Sequence, residues 1–307
     1  MSVPGFQSMF VPFLRFIADG AEHKLSDVTA RIADHFNLSP TDREELLPSG
    51  HQNRLANRVG WGRTHLKNAR LIEYTRRGYF KITARGLEAL ASNPTALTLR
   101  DLDRYPEHYA WFHAEKKESA AAPGTTGSEI IEVDIATPEE QLDALARELR
   151  QKLAADVLEQ LKSASPYRFE RIVLDVLVAM GYGGSREEAA TVTQQSNDHG
   201  IDGLINEDRL GLDRIYVQAK KWTDTIGRPH IQNFVGALAG QHAHKGVFIT
   251  TSEFSSGAVQ YVQNLPQRVI LIDGQRLAQL MIEHNIGVAR AYVHEVKRID
   301  SDYFGEE

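Results

Sequence analysis

The sequence predicts an α/β protein with two domains, in which a small helical domain precedes a mixed sheet. Three observations support this class. The chain has 307 residues, which is enough for two hydrophobic cores. A segment rich in small and helix-breaking residues lies near its middle, and strand and helix patterns alternate after it. The composition, 42% hydrophobic and 25% charged, is typical of a globular protein.

The composition also excludes several kinds of site and location. There is no cysteine, so disulfides, thiolate metal sites and a cysteine nucleophile are excluded. The first residues lack a basic region ahead of apolar ones, and no run of about 18 apolar residues occurs. We therefore expect a cytoplasmic protein with no membrane partner.

A helix pattern followed by a hairpin pattern marks the N-terminal part of the chain. Trp61, Leu66 and Ala69 supply apolar contacts around a short helix. Residues 71–83 then have the pattern of two strands joined by an Arg-Arg-Gly turn. A helix followed by a basic hairpin is the order of a winged helix, which we predict for residues 1–95.

The net charge of -6 conceals a strongly basic segment in this domain. Nine Lys and Arg residues lie between Arg54 and Arg85, and in the sequence only Glu73 opposes them. A phosphate backbone interacts with the local charge of a protein surface and not with the net charge of the chain. The segment therefore predicts binding of double-stranded DNA, and a solvated basic surface without a partner is the alternative. The residues expected to contact DNA are Arg58, Arg63, Lys67, Arg70, Arg76, Arg77 and Lys81.

A connector in two parts follows. Residues 96–136 are predicted to be a linker, because they contain the run Ala-Ala-Ala-Pro-Gly-Thr-Thr-Gly-Ser. Thr137, Pro138 and Glu140 supply an N-cap, a first-turn proline and a capping-box carboxylate, and so predict a helix over residues 137–164. Its apolar stripe predicts packing on the following domain or, alternatively, a coiled coil with a second subunit. The stripe consists of Leu142, Leu145, Leu149, Leu153, Val157 and Leu161.

The second domain is predicted for residues 165–290, with a C-terminal tail over residues 291–307. It opens with a helix after Ser165-Pro166. Two strands follow, and then helices alternate with strands. Such alternation indicates a central mixed sheet with helices on its faces.

Polar residues on the first two of these strands form a candidate active site. Gln218 and Lys220 share one face of a strand, while Ile215 and Val217 share the other, because successive side chains alternate. If the two strands pair, Asp202 can hold a divalent cation beside the lysine, which suits hydrolysis of a phosphodiester. A plain ion pair between Asp202 and Lys220 is the alternative.

Short segments in both halves carry a family resemblance. In the second half they are Phe-Glu at 169–170, Asp-His-Gly-Ile-Asp-Gly at 198–203, Val-Gln-Ala-Lys-Lys at 217–221 and Gly-Val-Phe-Ile-Thr-Thr-Ser at 246–252. Over residues 165–286 the chain resembles the catalytic domain of Mrr-type restriction endonucleases. The N-terminal Val-Pro-Gly-Phe and the later Asn-Arg-Val-Gly-Trp-Gly-Arg-Thr-His-Leu-Lys are similar to that family's N-terminal DNA-binding domain.

The resemblance implies a restriction-endonuclease-like fold of the superfamily named for a Pro-Asp, Asp/Glu-x-Lys pattern. It implies a Mg²⁺-dependent endonuclease, with Mn²⁺ as a substitute, that acts on foreign double-stranded DNA with methylated or otherwise modified bases. By the same resemblance, Asp202 is the central metal-binding carboxylate, Lys220 lies near the nucleophilic water and Glu170 is the acidic residue of the first helix. Gln218 stands at the usual acidic catalytic position but is neutral, and His199 stands where glycine is expected.

The implied metal ligands are Asp202 and the main-chain carbonyl of Ala219, with Glu170 and Asp198 as further candidates. Because Gln218 offers a carbonyl oxygen without a charge, we expect weak cation binding in the absence of DNA. One active site per chain and two strands to cut predict a homodimer or larger homo-oligomer. A DNA repair nuclease or junction resolvase is an alternative function, and a winged-helix regulator with a degenerate nuclease fold is another.

Overall fold

The structure is a computed structural model that describes residues 2–76, 78–92, 94–114, 136–182, 201–206 and 213–297. The chain divides into two compact units, Met1–Glu148 and Leu149–Glu307. The finer division into five segments that the sequence suggests stays a prediction. None of the described helices combines the length and the apolar content needed to span a membrane.

The first unit begins as a winged helix. After a 3-10 turn over Phe6–Met9, the elements are α1 (Phe10–Phe16), β1 (His23–Lys24), α2 (Leu25–His35), α3 (Pro40–Glu44), α4 (Arg54–Asn68), β2 (Ile72–Arg76) and β3 (Tyr79–Ile82). The strands form an antiparallel sheet in the order β1-β3-β2. Gly78 takes a φ of 75° in the turn of the hairpin, a conformation that favours glycine. The predicted helix and hairpin are therefore both present.

Helix α4 occupies the position of the recognition helix, directly before the hairpin. Asn53 starts it by accepting a hydrogen bond from the amide of Ala56 at 2.9 Å. Leu55, Val59 and Leu66 recur at helical spacing and are buried in the core of the unit. Among the polar residues of α4, Lys67 is exposed, whereas Asn57 and His65 are buried.

Part of the predicted linker region is helical, and its bounds stay a prediction. The chain continues after the hairpin as α5 (Ala84–Ala91), α6 (Leu99–Leu102) and α7 (Pro106–Ala114). Leu99, Leu102 and His108 are buried, so residues 99–114 belong to the packed unit. Helices α6 and α7 escaped prediction because α6 has a single turn and α7 has no apolar stripe of its own. Residues 115–135 of the predicted linker lie outside the described residues.

A long helix, α8 (Pro138–Ser163), crosses from the first unit into the second. It begins with the predicted capping box. The amide of Glu140 donates to Thr137 Oγ1 at 3.3 Å, and the amide of Thr137 donates to Glu140 Oε2 at 3.0 Å.

The apolar stripe of α8 packs only at its C-terminal end. Val157 and Leu161 are buried in the core of the second unit. A Cβ added to Gly274 of that unit would lie 2.7 Å from Leu158 Cδ1, which shows how closely this end of α8 is packed. Pairing with a second subunit stays a prediction. The remaining leucines are 40–58% exposed: Leu142, Leu145, Leu149 and Leu153.

The second unit has a mixed four-stranded sheet with helices on both faces, which confirms the predicted α/β class. Its elements are α9 (Pro166–Ala179), β4 (Gly203–Asn206), β5 (Arg214–Lys220), α10 (Arg228–Gly240), β6 (Lys245–Thr250), α11 (Ser256–Gln263), β7 (Arg268–Ile272) and α12 (Gly274–Glu283). The order is β4-β5-β6-β7, with β4 antiparallel to β5 and the other neighbours parallel. Helices α9 and α12 pack on one face, and α10 and α11 pack on the other.

Candidate active site and DNA-binding surface

The pairing of β4 with β5 fixes the position of Asp202. Gly203 lies opposite Val217, and the amide of Asp202 donates to the Val217 carbonyl at 2.9 Å. The carboxylate of Asp202 accepts a hydrogen bond from the amide of Ala219 at 2.8 Å through Oδ2. The carboxylate is therefore held beside the main chain that directly precedes Lys220.

Two carboxylates and one lysine at this site affect the pKa values of the carboxyl groups. Burial raises the pKa of Asp202, while the hydrogen bond from Ala219 and the charge of Lys220 oppose the rise. Burial also raises the pKa of Glu170 on α9, and repulsion from Asp202 adds to the rise. The charged forms of both carboxylates are thus disfavoured in the protein alone, which is the situation that a bound cation relieves.

Lys220 and Gln218 lie on the face of β5 predicted from alternation. Tyr216 and Trp222 pack with α10 and α11, whereas Ile215 and Val217 pack in the opposite core. The Nζ atom of Lys220 lies 4.5 Å from the centre of the Trp222 ring, so the indole supports the ammonium group.

The structure says less about the remaining implied metal ligands. Asp198 and His199 lie outside the described residues. The Ala219 amide binds Asp202, and a metal contact by the Ala219 carbonyl stays a prediction. Among the described residues, no group of three or more carboxylate or imidazole side chains converges on a single metal position.

The basic residues of the first unit are largely paired with carboxylates. Arg58 binds Glu140 at 2.9 Å, Arg70 binds Glu107 at 3.2 Å, Arg76 binds Glu22 at 2.9 Å, and Lys81 binds Glu73 at 3.1 Å. Three of these four carboxylates come from segments outside the basic stretch of the sequence. The fold therefore neutralises much of the charge that the sequence pattern assigns to DNA.

The other predicted DNA contacts have different surroundings. Arg63 lies 5.5 Å from the centre of the Tyr74 ring, and its buried Nε has no hydrogen-bond partner among the described residues. Lys67 is exposed on α4 and forms no ion pair with another described residue. Arg77 lies outside the described residues. Arg70 has a φ of 57°, in the left-handed region, directly after α4 and its C-cap.

Comparisons with known proteins decide the family. A family model described as the Mrr N-terminal domain matches residues 6–92, and one described as a restriction endonuclease matches residues 161–281. The chain is 40% identical over 309 residues to the type IV methyl-directed restriction enzyme EcoKMrr of Escherichia coli (strain K12), covering 99% of this chain and 100% of that relative. The chain belongs to the Mrr family of restriction endonucleases. The resemblance and the endonuclease class predicted from the sequence are confirmed, and a catalytic domain of this type uses a divalent metal ion.

Two solved structures are similar to parts of this Mrr-family chain. The DNA modification-dependent restriction endonuclease AspBHI is 19% identical, with a TM-score of 0.35 over 57% of this chain and 44% of its own. The MspJI restriction endonuclease, in complex with a 27-mer oligonucleotide, is 16% identical, with a TM-score of 0.28 over 71% of this chain and 53% of its own. The Mrr-family chain spans about half the length of each.

A cavity that the sequence did not indicate lies at the end of β5 in this Mrr-family nuclease. Its volume is about 330 Å³. Thr251 holds the wall in place, since its hydroxyl donates to the Trp222 carbonyl at 2.8 Å and accepts from the Trp222 amide at 3.1 Å. Lys162 and Lys221 form no ion pair with another described residue. The lining residues are Lys162, Lys221, Trp222, Thr223, Asp224 and Thr251.

A buried histidine chain in the first unit also escaped prediction. His65 Nδ1 lies 3.0 Å from His108 Nε2, and Asp103 contacts His108 and His113 at 3.1 Å each. Burial, followed by the proximity of His108, lowers the pKa of His65 to about 3. Burial likewise lowers the pKa of His108, against the opposing effect of Asp103. The chain therefore joins α7 to α4 with neutral His65 and His108 rings.

Proposed function

We propose that this Mrr-family restriction endonuclease hydrolyses double-stranded DNA that carries methylated or otherwise modified bases, with Asp202, Glu170, Gln218 and Lys220 at its active site. The relative that matches over the full length is named a methyl-directed enzyme, which supports the substrate class. The observation that carries the site assignment is the hydrogen bond from the Ala219 amide to Asp202, because it holds the carboxylate next to Lys220.

The side chains present fit a divalent cation. Asp202 and Glu170 offer hard oxygen donors whose pKa values are raised by burial, and repulsion from Asp202 raises that of Glu170 further. Oxygen donors of this kind suit Mg²⁺, the proposed cofactor, and Mn²⁺ is the expected substitute. When bound, the cation polarises the scissile phosphate and lowers the pKa of water.

Lys220 and Gln218 would act on the same face of β5 as the reacting phosphate. The Lys220 ammonium, supported by the Trp222 ring, would orient the attacking water and stabilise the developing negative charge. Gln218 contributes a neutral amide whose oxygen can orient a ligand without adding charge. Because Gln218 is neutral, the protein supplies little negative charge at the site. The DNA phosphate would supply the rest of the negative charge around the cation.

The cavity next to β5 would hold a neighbouring part of the same DNA strand. Lys162 and Lys221 line it from two separate segments of the second unit, and neither forms an ion pair with another described residue. Two ammonium groups beside the catalytic strand suit a phosphate adjacent to the scissile one. This contact would position the strand without taking part in bond cleavage.

The winged helix would supply the second contact with DNA. Lys67 and most of strand β2 are exposed, and the paired arginines would exchange carboxylates for phosphates. One active site per chain supports a homodimer or larger homo-oligomer when both strands are cut.

Cleavage of methylated and unmodified plasmid in Mg²⁺ tests this function. Asp202→Ala and Lys220→Ala should each reduce cutting by about 10²–10³-fold or more, the range for loss of one group that stabilises a transition state. DNA binding should persist in both variants. Asp213→Ala is the matched control, because Asp213 pairs with Lys245 at 2.9 Å near the other end of β5.

The outcomes are separable. Cutting by Asp202→Ala or Lys220→Ala at the wild-type rate would remove the site assignment. Equal cutting of the two plasmids by the wild type would remove the modified-DNA assignment. Preference for a four-way junction over both plasmids would favour a resolvase.

A further inference from the structure

Helix α4 turns one side away from the contacts that fix it in the first unit. Ala56, Gly60, Arg63 and Lys67 recur every three or four residues and therefore share a face, and we call these four residues the outer stripe. Ala56 and Lys67 are exposed, and Gly60 and Arg63 are partly exposed. With about 3.6 residues per turn, the outer stripe lies across the helix from Arg58, which is paired inside the unit.

The two cations of the outer stripe differ from the two arginines on the opposite side of α4. Arg54 and Arg58 contact carboxylates at 2.6 and 2.9 Å. Neither Arg63 nor Lys67 forms an ion pair with another described residue, and the buried Nε of Arg63 has no hydrogen-bond partner among these residues. The outer stripe is therefore the side of α4 whose cations can bind a ligand without first leaving a described carboxylate.

The ring of Tyr74 holds the Arg63 side chain beside the hairpin. Tyr74 lies on β2 and is 50% exposed, and its ring centre is 5.5 Å from the guanidinium carbon of Arg63. An aromatic ring attracts a cation without accepting a conventional hydrogen bond. Arg63 is therefore positioned by the ring while its N–H donors remain available to a ligand.

An arginine, and not an amide side chain, is the group of α4 that can read a base. In the major groove, arginine donates to guanine O6 and N7 as a bidentate pair, whereas asparagine and glutamine read adenine. The asparagines of α4 and its N-cap all use their side-chain NH₂ groups inside the protein, where they donate to oxygen atoms at 2.6, 3.2 and 2.9 Å. These asparagines are Asn53, Asn57 and Asn68. Guanine is therefore the base that the outer stripe matches.

Two small residues leave room on the outer stripe for a methyl group. Ala56 and Gly60 precede Arg63 in the N-terminal half of α4, and the N-terminal residues of a recognition helix are those that contact base edges. A Cβ added to Gly60 would meet no atom within 4 Å, so packing of the described residues does not require glycine there. Because glycine weakens a helix interior, close approach of a base edge to the main chain gives a reason for this residue.

We propose that the outer stripe of α4 reads 5-methylcytosine in a base-pair step that contains guanine. Arg63 donates to guanine O6 and N7, and Tyr74 positions it for this contact. The C5 methyl group of the neighbouring cytosine lies against Ala56 and Gly60, as a thymine methyl group lies against small apolar side chains. Lys67 contacts a phosphate. This inference rests on the proposed binding of modified DNA by the winged helix.

Equilibrium binding of two short duplexes by the full-length protein, without divalent cation, tests the proposal. Both duplexes have a central CG step between randomised flanks, and one of them carries 5-methylcytosine in this step on both strands. The wild type should prefer the methylated duplex. Arg63→Ala should reduce this preference by at least about fivefold, the lower end of what one bidentate base contact supplies.

Lys67→Ala is the matched control for Arg63→Ala. It removes the other cation of the outer stripe, and loss of a phosphate contact should weaken binding of both duplexes by the same factor. A wild type that does not distinguish the duplexes, or an Arg63→Ala variant that keeps the full preference, would overturn the proposal. A wild type that prefers only a duplex with N6-methyladenine would also overturn it, but would leave the proposed action on modified DNA intact.

A second variant tests the small residues separately. Gly60→Leu adds a helix-favouring side chain in open space, so the variant should fold and its first unit should be more stable. The leucine would occupy the place of the methyl group, so binding of the methylated duplex should fall to that of the unmodified one. Gly236→Leu is the matched control, because Gly236 also lies inside a helix with open space at its Cβ. An unchanged preference in Gly60→Leu would overturn the methyl contact.

The role of the ring is tested by a conservative pair of variants. Tyr74→Phe keeps the ring beside Arg63 and should retain the preference for the methylated duplex, whereas Tyr74→Leu should reduce it. Equal loss in both variants would contradict positioning through the ring. None of these measurements involves cleavage, so failure of the outer stripe leaves the Asp202→Ala test of the nuclease assignment unaffected.

Discussion

The charged groups of the two units are partnered in opposite ways. In the winged helix, the cations that would meet DNA already contact carboxylates, as Arg58 does with Glu140 and Arg76 with Glu22. In the nuclease unit, Asp202 and Glu170 repel one another, and Lys162 and Lys221 form no ion pair with another described residue. Under the proposed function, the first region would exchange partners to bind DNA, whereas the second would gain partners when a cation and a phosphate bind.

Burial acts on both regions but changes the pKa in opposite directions. It lowers the pKa of the imidazoles of His65 and His108, and it raises the pKa of the carboxyl groups of Asp202 and Glu170. In each case the neutral form is favoured. The two units should therefore respond to acid with opposite signs.

The largest effect is expected on the stability of the first unit as the pH falls. The pKa of His65 is lowered from an ordinary value of 6.5 to about 3 in the folded protein, so its contribution to stability is complete above pH 6.5 and is lost progressively below it. The loss is at most about 1.4 kcal/mol per pH unit for one such group. Peptide-resolved hydrogen exchange of the full chain between pH 7 and pH 5 should show destabilised α4 and α7.

Two substitutions and one control test this contrast. His65→Phe suits the surrounding aromatic rings and should reduce the pH dependence of the first unit, while His51→Gln, at an exposed histidine, should leave it unchanged.

Asp202 has a raised pKa, so in cation-free protein its ionised form destabilises the second unit at neutral pH. Asp202→Asn should therefore be more stable than the wild type at pH 7, by a margin that shrinks as the pH falls. The same sign of pH response in both units would contradict the comparison.

A smaller effect is expected at the cavity beside β5. Lys221→Ala removes one of its ammonium groups and should raise the KM for DNA by about fivefold, the cost of one lost phosphate contact of roughly 1 kcal/mol. The kcat should change less, because Lys221 is proposed to position the strand and not to act on the reacting phosphate. Steady-state cleavage kinetics separate the two constants. A fall in kcat with unchanged KM would contradict a positioning role.

The smallest effect compares two cations of the winged helix. Lys67→Ala should reduce the slope of log affinity against log salt by about 0.9, the value for one neutralised phosphate. Arg76→Ala should reduce it by less, since Arg76 pairs with Glu22 at 2.9 Å and lies 3.7 Å from the centre of the Tyr79 ring. Salt titrations of duplex binding measure both slopes. Equal reductions would mean that the carboxylate partners do not compete with DNA.

Local patterns predicted the elements that carry the site. Strand alternation placed Gln218 and Lys220 on one face of β5, and the capping residues Thr137 and Glu140 located the start of α8. These signals lie within a few residues of one another, so backbone geometry alone converts them into structure. The assignment of catalytic roles depended on the family resemblance and stays a proposal.

Long-range contacts were not predictable from the same patterns. Glu22, Glu107 and Glu140 reach Arg76, Arg70 and Arg58 across 54, 37 and 82 residues of sequence, and only the folded chain brings them together. Residues 54–85 do contain nine cations, with Glu73 opposing them, but this count overstates the charge available at the surface because other segments supply carboxylate partners. Lys162 and Lys221 likewise line one cavity only because α8 ends beside β5.

The left-handed conformation of Arg70 shows how the N-terminal unit resolves a local conflict. A side chain at that φ costs about 1 kcal/mol relative to glycine, which is the usual residue after a helix end. The guanidinium reaches Glu107, the same carboxylate that Arg85 contacts, and so ties α7 to the end of the recognition helix. A glycine here would give a more relaxed backbone and a looser attachment of α7. Substitution of Arg70 by glycine would therefore relieve the backbone and remove the contact with Glu107 at the same time.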